Sequence, residues 1–139
     1  MPQGGDDIAF AGLARQAEMV RAGDVSPTEL VGQSLERIDR LDPELNAFRK
    51  VFADKAMLEA EQAEARRSAG DTRPLLGVPI AIKDEIDVAG EINTHGTDAF
   101  EVPAKADSEV VRRLRAAGAI IVGLTLLPEL AICGFTESA

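Results

Sequence analysis

Apolar residues recur along this chain with two periods, and the change from one to the other marks out its elements. Phe10, Leu13, Ala14, Ala17 and Val20 keep the spacing of a helix face, which predicts a helix over residues 8–22 with Gly23 as its stop. A second helix has a stronger start. Ser26 can cap it, Pro27 fits its first position, and Glu29 completes a capping box. Its stripe is Leu30, Val31, Leu35, Ile38 and Leu41, and Asp42-Pro43 is expected to end it. Residues 45–52 read as a strand, with Leu45, Ala47, Phe48, Val51 and Phe52 as buried positions. Residues 53–69 read as a half-exposed outer helix. They are rich in strong helix formers, and the apolar stripe of Ala53, Ala56, Met57, Ala60 and Ala63 is narrow.

The period then falls to two. In Val78-Pro79-Ile80-Ala81-Ile82-Lys83, alternation sets Val78, Ile80 and Ile82 on one face and Pro79, Ala81 and Lys83 on the other. Both faces stay apolar until Lys83, the pattern of a strand covered on both sides in a parallel sheet. Residues 84–103 form a polar loop region containing Gly90 and Gly96. Asp107 is expected to cap a helix over residues 108–117, with Val110, Val111 and Leu114 facing inward and Gly118 ending it. Residues 119–122 are a second continuous apolar run and so a second buried strand. Gly123-Leu124-Thr125 is expected to turn beyond it, and residues 128–131 to begin a short helix. Strand, helix and strand in this order predict an α/β fold. The two apolar runs should be neighbouring central strands with the intervening helix packed across them. Residues 1–7, rich in Gly and Asp, are expected to be a loose tail.

Composition narrows the core to aliphatic side chains. Of 139 residues 45% are hydrophobic but only 4% aromatic, with no Trp or Tyr. This length suffices for one domain with a real core. The 24 acidic and 15 basic residues leave a net charge of −9, and no basic patch is visible. Both features argue against nucleic acid as a direct partner. Cys133 is the only cysteine, which rules out an internal disulfide and fits a reducing cytoplasm. Neither a charged leader nor an apolar run near the ~18 residues of a membrane span is present.

Candidate chemistry centres on Lys83. In open α/β sheets ligands bind beyond the carboxyl ends of the strands, where this lysine falls. It is either a solvated residue opening a loop or a partly buried general base. Asp84 is expected on the opposite side of the strand. His95, the only histidine, has no second imidazole or cysteine pair beside it, so neither a metal nor another cofactor is expected. A Ser108–His95–Asp triad can be drawn, but no nucleophile-elbow motif supports it, and His95 reads as a loop residue. Cys133 lacks basic neighbours that would favour a thiolate and reads as a small buried hydrophobe.

Taken together, GVPIAIKDEIDVAG, a threonine-glycine turn, DSEVVRRLRAAGAIIVGLT and LPELA, in that order, resemble the amidase signature family. The resemblance is close over residues 75–139 and is one of helix pattern before that. It implies an N-terminal part of a single amidase domain: a helical arm over about residues 8–42, then a central mixed β-sheet flanked by helices over about 45–139. It also implies that Lys83 is the base of a Ser-cisSer-Lys triad that hydrolyses a carboxamide, acting through a bridging serine on a nucleophilic one. Ala131, Ile132 and Cys133 would line the pocket for a small amide substrate. Family members often carry Lys and Asn where this chain has Leu124 and Leu126. The family's GGSSGGS-type loop lies further along than Ala139, so both serines are expected outside these residues. The strand faces at Val78, Ile80, Ile120 and Val122 are then expected to be exposed or half-covered. The chain should accordingly be inactive alone and should self-associate or need a partner chain. Three alternatives stay open: the amide-hydrolysing subunit of a tRNA-dependent amidotransferase, a non-catalytic interaction remnant, and a plain α/β structural domain with no activity.

Overall fold

The computed structural model describes residues 8–136, so the tail expected over residues 1–7 lies outside it. Ile8 and Ala9 are helical, but the predicted helix is interrupted at residues 10–12, where Gly12 takes a φ of 78°, and helix α1 (Leu13–Ala22) follows. Gly23 stops the helix as expected, its N–H donating to the Met19 and Val20 carbonyls. Only the second half of the predicted stripe is covered. Val20 packs with Val25 and Leu30, while Phe10 and Leu13 are exposed.

Helix α2 (Pro27–Leu45) begins as read, with Ser26 Oγ accepting the Glu29 N–H at 3.1 Å. It does not end at Asp42-Pro43. Asn46, in a left-handed conformation, donates its N–H to the Asp42 carbonyl at 2.7 Å. The Asp42 carboxylate takes the N–H groups of Ala47 and Phe48 at 2.7 and 3.1 Å. Those bonds hold the last turn despite the proline. Leu45 is therefore helical and exposed, and β1 shrinks to Phe48–Val51. Ala47 and Val51 are exposed as well, and of the expected buried positions Phe52 alone is fully covered.

Three strands make the sheet among the described residues: β1, β2 (Pro79–Lys83) and β3 (Ile120–Thr125), in the order β1-β3-β2. β2 runs parallel to β3 and β1 antiparallel, so the sheet is mixed. The two apolar runs are neighbours as expected, but only β3 is central and β2 lies at an edge. β3 also continues through Gly123-Leu124-Thr125, expected as a turn, because β1 pairs with those three residues. Gly123 is required there: a Cβ would sit 2.5 Å from the Lys50 carbonyl oxygen and 3.0 Å from the Phe48 ring.

Helices cover both faces. On one, α2 and α3 (Ala53–Ser68) pack Val31, Ala56, Ala60 and Ala63 against Leu76, Ile120 and Val122. On the other, α4 (Glu109–Ala116) sets Val111 and Leu114 against Ile82, Ile121, Leu124, Phe52 and Val88. Ser108 rather than Asp107 caps α4, its Oγ accepting the Val111 N–H. Asp107 instead accepts from Ala89 N at 2.8 Å and pairs with Arg115. Val110 faces solvent. Of the strand faces expected to be exposed or half-covered, only Ile80 is so. Val78, Ile120 and Val122 are buried and Ile80 is half-buried. The helices of these same residues supply the cover. What stays open on β2 is the side carrying Ala81 and Lys83.

Candidate active site

Because β2 and β3 are parallel, their carboxyl ends lie side by side, with Lys83 in register with Thr125. The chain then turns sharply. The Lys83 carbonyl accepts from Glu85 N at 2.8 Å and Ile86 N at 3.0 Å, while Asp84 N donates to the Thr125 carbonyl at 3.0 Å. The strand's alternation sends the next two side chains apart. Lys83 is 44% exposed, its Nζ 2.9 Å from Glu85 Oε1. Asp84, on the other side, is 1% exposed.

Asp84 is the one buried charged side chain among the described residues. A lone carboxylate there would be costly, so its partners matter. Arg49 of β1 supplies the opposite charge, with Nε 2.5 Å from Oδ2 and Nη2 3.0 Å from Oδ1. The same Nη2 donates to the Ile92 carbonyl at 2.7 Å. The Thr94 hydroxyl donates to Oδ2, and its backbone N–H lies 3.5 Å from Oδ1. His95 N donates to the Asp84 carbonyl at 3.1 Å. One residue thus gathers β1, the end of β3 and the loop over residues 92–97.

That loop reaches a further segment. The His95 carbonyl accepts the Leu130 N–H at 2.8 Å. Gly96, at φ 73°, lies so close that a Cβ would meet the Leu127 carbonyl oxygen at 2.7 Å. The expected short helix is a 3₁₀ turn over Glu129–Ala131, in which Leu130 and Ala131 adopt positive φ. Ala131, Ile132 and Cys133, at its end and just beyond, are exposed. Cys133 is thus not the buried hydrophobe expected. The His95 ring packs on Phe100 with centroids 5.0 Å apart, and Ser108 Oγ is engaged in capping α4. The drawn Ser108–His95 arrangement therefore gains no support. No group of three or more His, Cys, Asp or Glu among the described residues could hold a metal ion. Arg49 and Thr94 had no signal in the sequence, since an arginine in a short strand and a threonine in a polar loop are ordinary surface residues.

A model of the amidase family matches residues 29–139. The chain belongs to the amidase family. Over 132 residues, 95% of its length, it is 54% identical to AmiB2 of Mycobacterium tuberculosis (strain ATCC 25618 / H37Rv), of which it covers 29%. It is 38% identical over 129 residues to one of the subunits of the Glutamyl-tRNA(Gln) amidotransferase of Roseiflexus sp. (strain RS-1), a match covering 91% of this chain and 26% of that one. The native peptide amidase from Stenotrophomonas maltophilia superposes on 87% of this chain with a TM-score of 0.79 and 34% identity, matched over 26% of its own length. This amidase chain therefore spans between a quarter and a third of the length of these relatives. No helix among the described residues is long and apolar enough to cross a membrane.

Proposed function

We propose that this chain supplies the lysine-bearing part of an amidase that hydrolyses a small carboxamide to a carboxylate and ammonia or an amine. The observation that carries the proposal is Lys83 at the carboxyl end of β2, beside the end of β3, on the open side of a strand whose neighbours Ile82, Ile121 and Leu124 are buried. In this reading Lys83 is the general base. It takes a proton from a bridging serine, which takes one from the nucleophilic serine that attacks the carbonyl carbon. Both serines belong to a GGSSGGS-type loop that these 139 residues do not contain. Ala131, Ile132 and Cys133 are the substrate-lining positions, a role that suits their exposure beyond the sheet end. The work is done in the cytoplasm without a cofactor, and a second chain or a second copy completes the site where the loop is not supplied in line.

In the intact amidase containing this segment, Lys83→Ala should lower kcat by about a thousandfold, the scale of a lost general base, while KM moves little. Retention of a tenth of the wild-type turnover would refute Lys83 as base. The 139 residues alone should not hydrolyse simple carboxamides, because the oxyanion donors and the nucleophile are absent from them. Serine-reagent-sensitive turnover by these residues alone would refute that part.

The 38% identity to a component of an amidotransferase favours one second reading, in which the amide is glutamine and the product ammonia passes to a partner chain. Glutaminase turnover that rises when partner chains are added would separate it from a free-standing amidase.

A further inference from the structure

The geometry points to Asp84 as a positioning residue: its carboxylate, held by Arg49 and Thr94, fixes the loop over residues 92–97 and, through it, the segment that follows β3, relative to Lys83. The inference rests on the proposed role of Lys83 for its catalytic consequence but not for its structural one. Two short bond paths carry it. From Asp84, adjacent to Lys83, the carbonyl accepts His95 N, and the His95 carbonyl accepts Leu130 N. Leu130 adjoins Ala131, the first of the proposed substrate-lining positions. The second path runs through the carboxylate to the Thr94 hydroxyl, and that hydroxyl accepts Gly96 N at 3.3 Å.

Apart from Asp84, the loop is held by Asn93 Nδ2, which donates to Asp87 Oδ1 at 3.0 Å, by Thr97 N on the Thr94 carbonyl, and by the His95 ring against Phe100. Residues 93–97 form no strand or helix, and their side chains are half-buried or more open. His95 adopts φ 51°, a left-handed conformation that a non-glycine residue keeps only where its surroundings impose it. Leu130 and Ala131, at φ 49° and 58°, repeat this on the facing segment. Three such residues on two segments joined by one hydrogen bond form an arrangement that must be held from outside. Asp84 is the anchor with buried charge behind it. Arg49 answers that charge from β1 and also clamps the Ile92 carbonyl, at the loop's start. Loss of the carboxylate would leave the Thr94 hydroxyl without its acceptor and Arg49 with the Ile92 carbonyl, loosening the loop at residues 94–96. Displacement of reacting groups by about 1 Å can lower a rate by as much as a hundredfold, so loss of this anchor should appear in turnover.

Two experiments test this. In the 139-residue chain, Asp84→Asn and Thr94→Val should each speed hydrogen exchange at the His95 and Leu130 amides by about tenfold or more. The Val111 and Ile121 amides in the core should stay protected. Thr94→Ser, which keeps the hydroxyl, should behave as wild type. In the intact amidase, Thr94→Val should lower kcat by about tenfold and Asp84→Asn by up to about a hundredfold, with the double variant no worse than Asp84→Asn alone. Thr94→Ser should restore turnover. Unchanged exchange at His95 and Leu130 in both variants would overturn the inference. So would a kcat at the wild-type level in Thr94→Val while Lys83→Ala is inactive, and that outcome would leave the lysine reading standing. If Lys83→Ala keeps its turnover, the proposed base is refuted, and the exchange data alone decide the anchor. Thr94→Val keeps shape and volume, so the test survives a failure of Asp84→Asn to fold.

Discussion

One face of the sheet and its carboxyl end are built differently. Between α2, α3 and β3 the contacts are aliphatic throughout: Val31, Ala56 and Ala60 are fully buried, and Ala63, Leu76, Ile120 and Val122 nearly so. At the carboxyl ends of β2 and β3 one carboxylate is buried, and Lys83, Leu130, Ile132 and Cys133 around it are open. The first region gains stability from area, which is non-directional and tolerant of small shifts. The second gains position from a few directional bonds to Asp84, which fix angles as well as distances. A site that must hold a base at a set distance from a pocket needs the second kind of construction, and a scaffold needs the first.

The contrast can be broken most forcefully in the aliphatic layer. Ile120→Ala should lower unfolding stability by about 2–5 kcal/mol, the range for truncating a buried aliphatic side chain. Exchange at His95 and Leu130, measured against the global opening, should be unaltered. A stability loss under about 1 kcal/mol in a urea titration would show that the layer is not the scaffold described. A smaller effect is expected at the sheet's centre. Gly123→Ala forces a Cβ against the Lys50 carbonyl, where backbone must move, and should cost about 1–3 kcal/mol. An unchanged urea midpoint would mean that β1 shifts freely. At the open end, His95→Ala should cost about 0.5 kcal/mol, because His95 serves through its backbone and its ring packs on Phe100. In the intact amidase kcat should stay within about threefold, since no proton transfer is assigned to the imidazole. A loss comparable to that of Lys83→Ala would point to a different triad.

The smallest effect sits on α4. Arg112 and Arg113 hydrogen-bond the Glu109 carboxylate and hold it at a pKa of about 2, against an ordinary value of 4.5. Lowered in the folded state, the group contributes stability above pH 4.5 and loses that contribution as the pH falls toward about 2. Glu109 is exposed, so solvent screening keeps the effect slight. Thermal melts of wild type and Glu109→Gln should differ slightly at pH 7 and converge near pH 2. A gap that widens on acidification would reverse the assigned sign.

Much of the scaffold was legible in the order of residues, because helix and strand periods are local properties. Ser26 and Glu29 announced the start of α2, and the alanine stripe of α3 turned inward at Ala56, Ala60 and Ala63, while Ala53 at the helix start is exposed. The run from Val78 to Lys83 and the run from Ala119 to Val122 read as strands because no other element buries such short apolar stretches. The resemblance of four motifs in order pointed to the amidase family and set Lys83 apart from other lysines. Element ends were less legible. Pro43 sits inside α2 because Asp42 and Asn46 close the turn around it, and β3 runs on through Gly123 because β1 lies beside it. Val122 and Ile120 were expected to lose cover with the region beyond Ala139, but helices α2 and α3 of these same residues cover them. The side that Asp84 faces followed from strand alternation, but its burial did not. Its burial depends on Arg49, 35 residues away, and on Thr94, 10 residues away. A carboxylate after an apolar run is an ordinary solvated residue until tertiary contacts bring it a guanidinium and a hydroxyl.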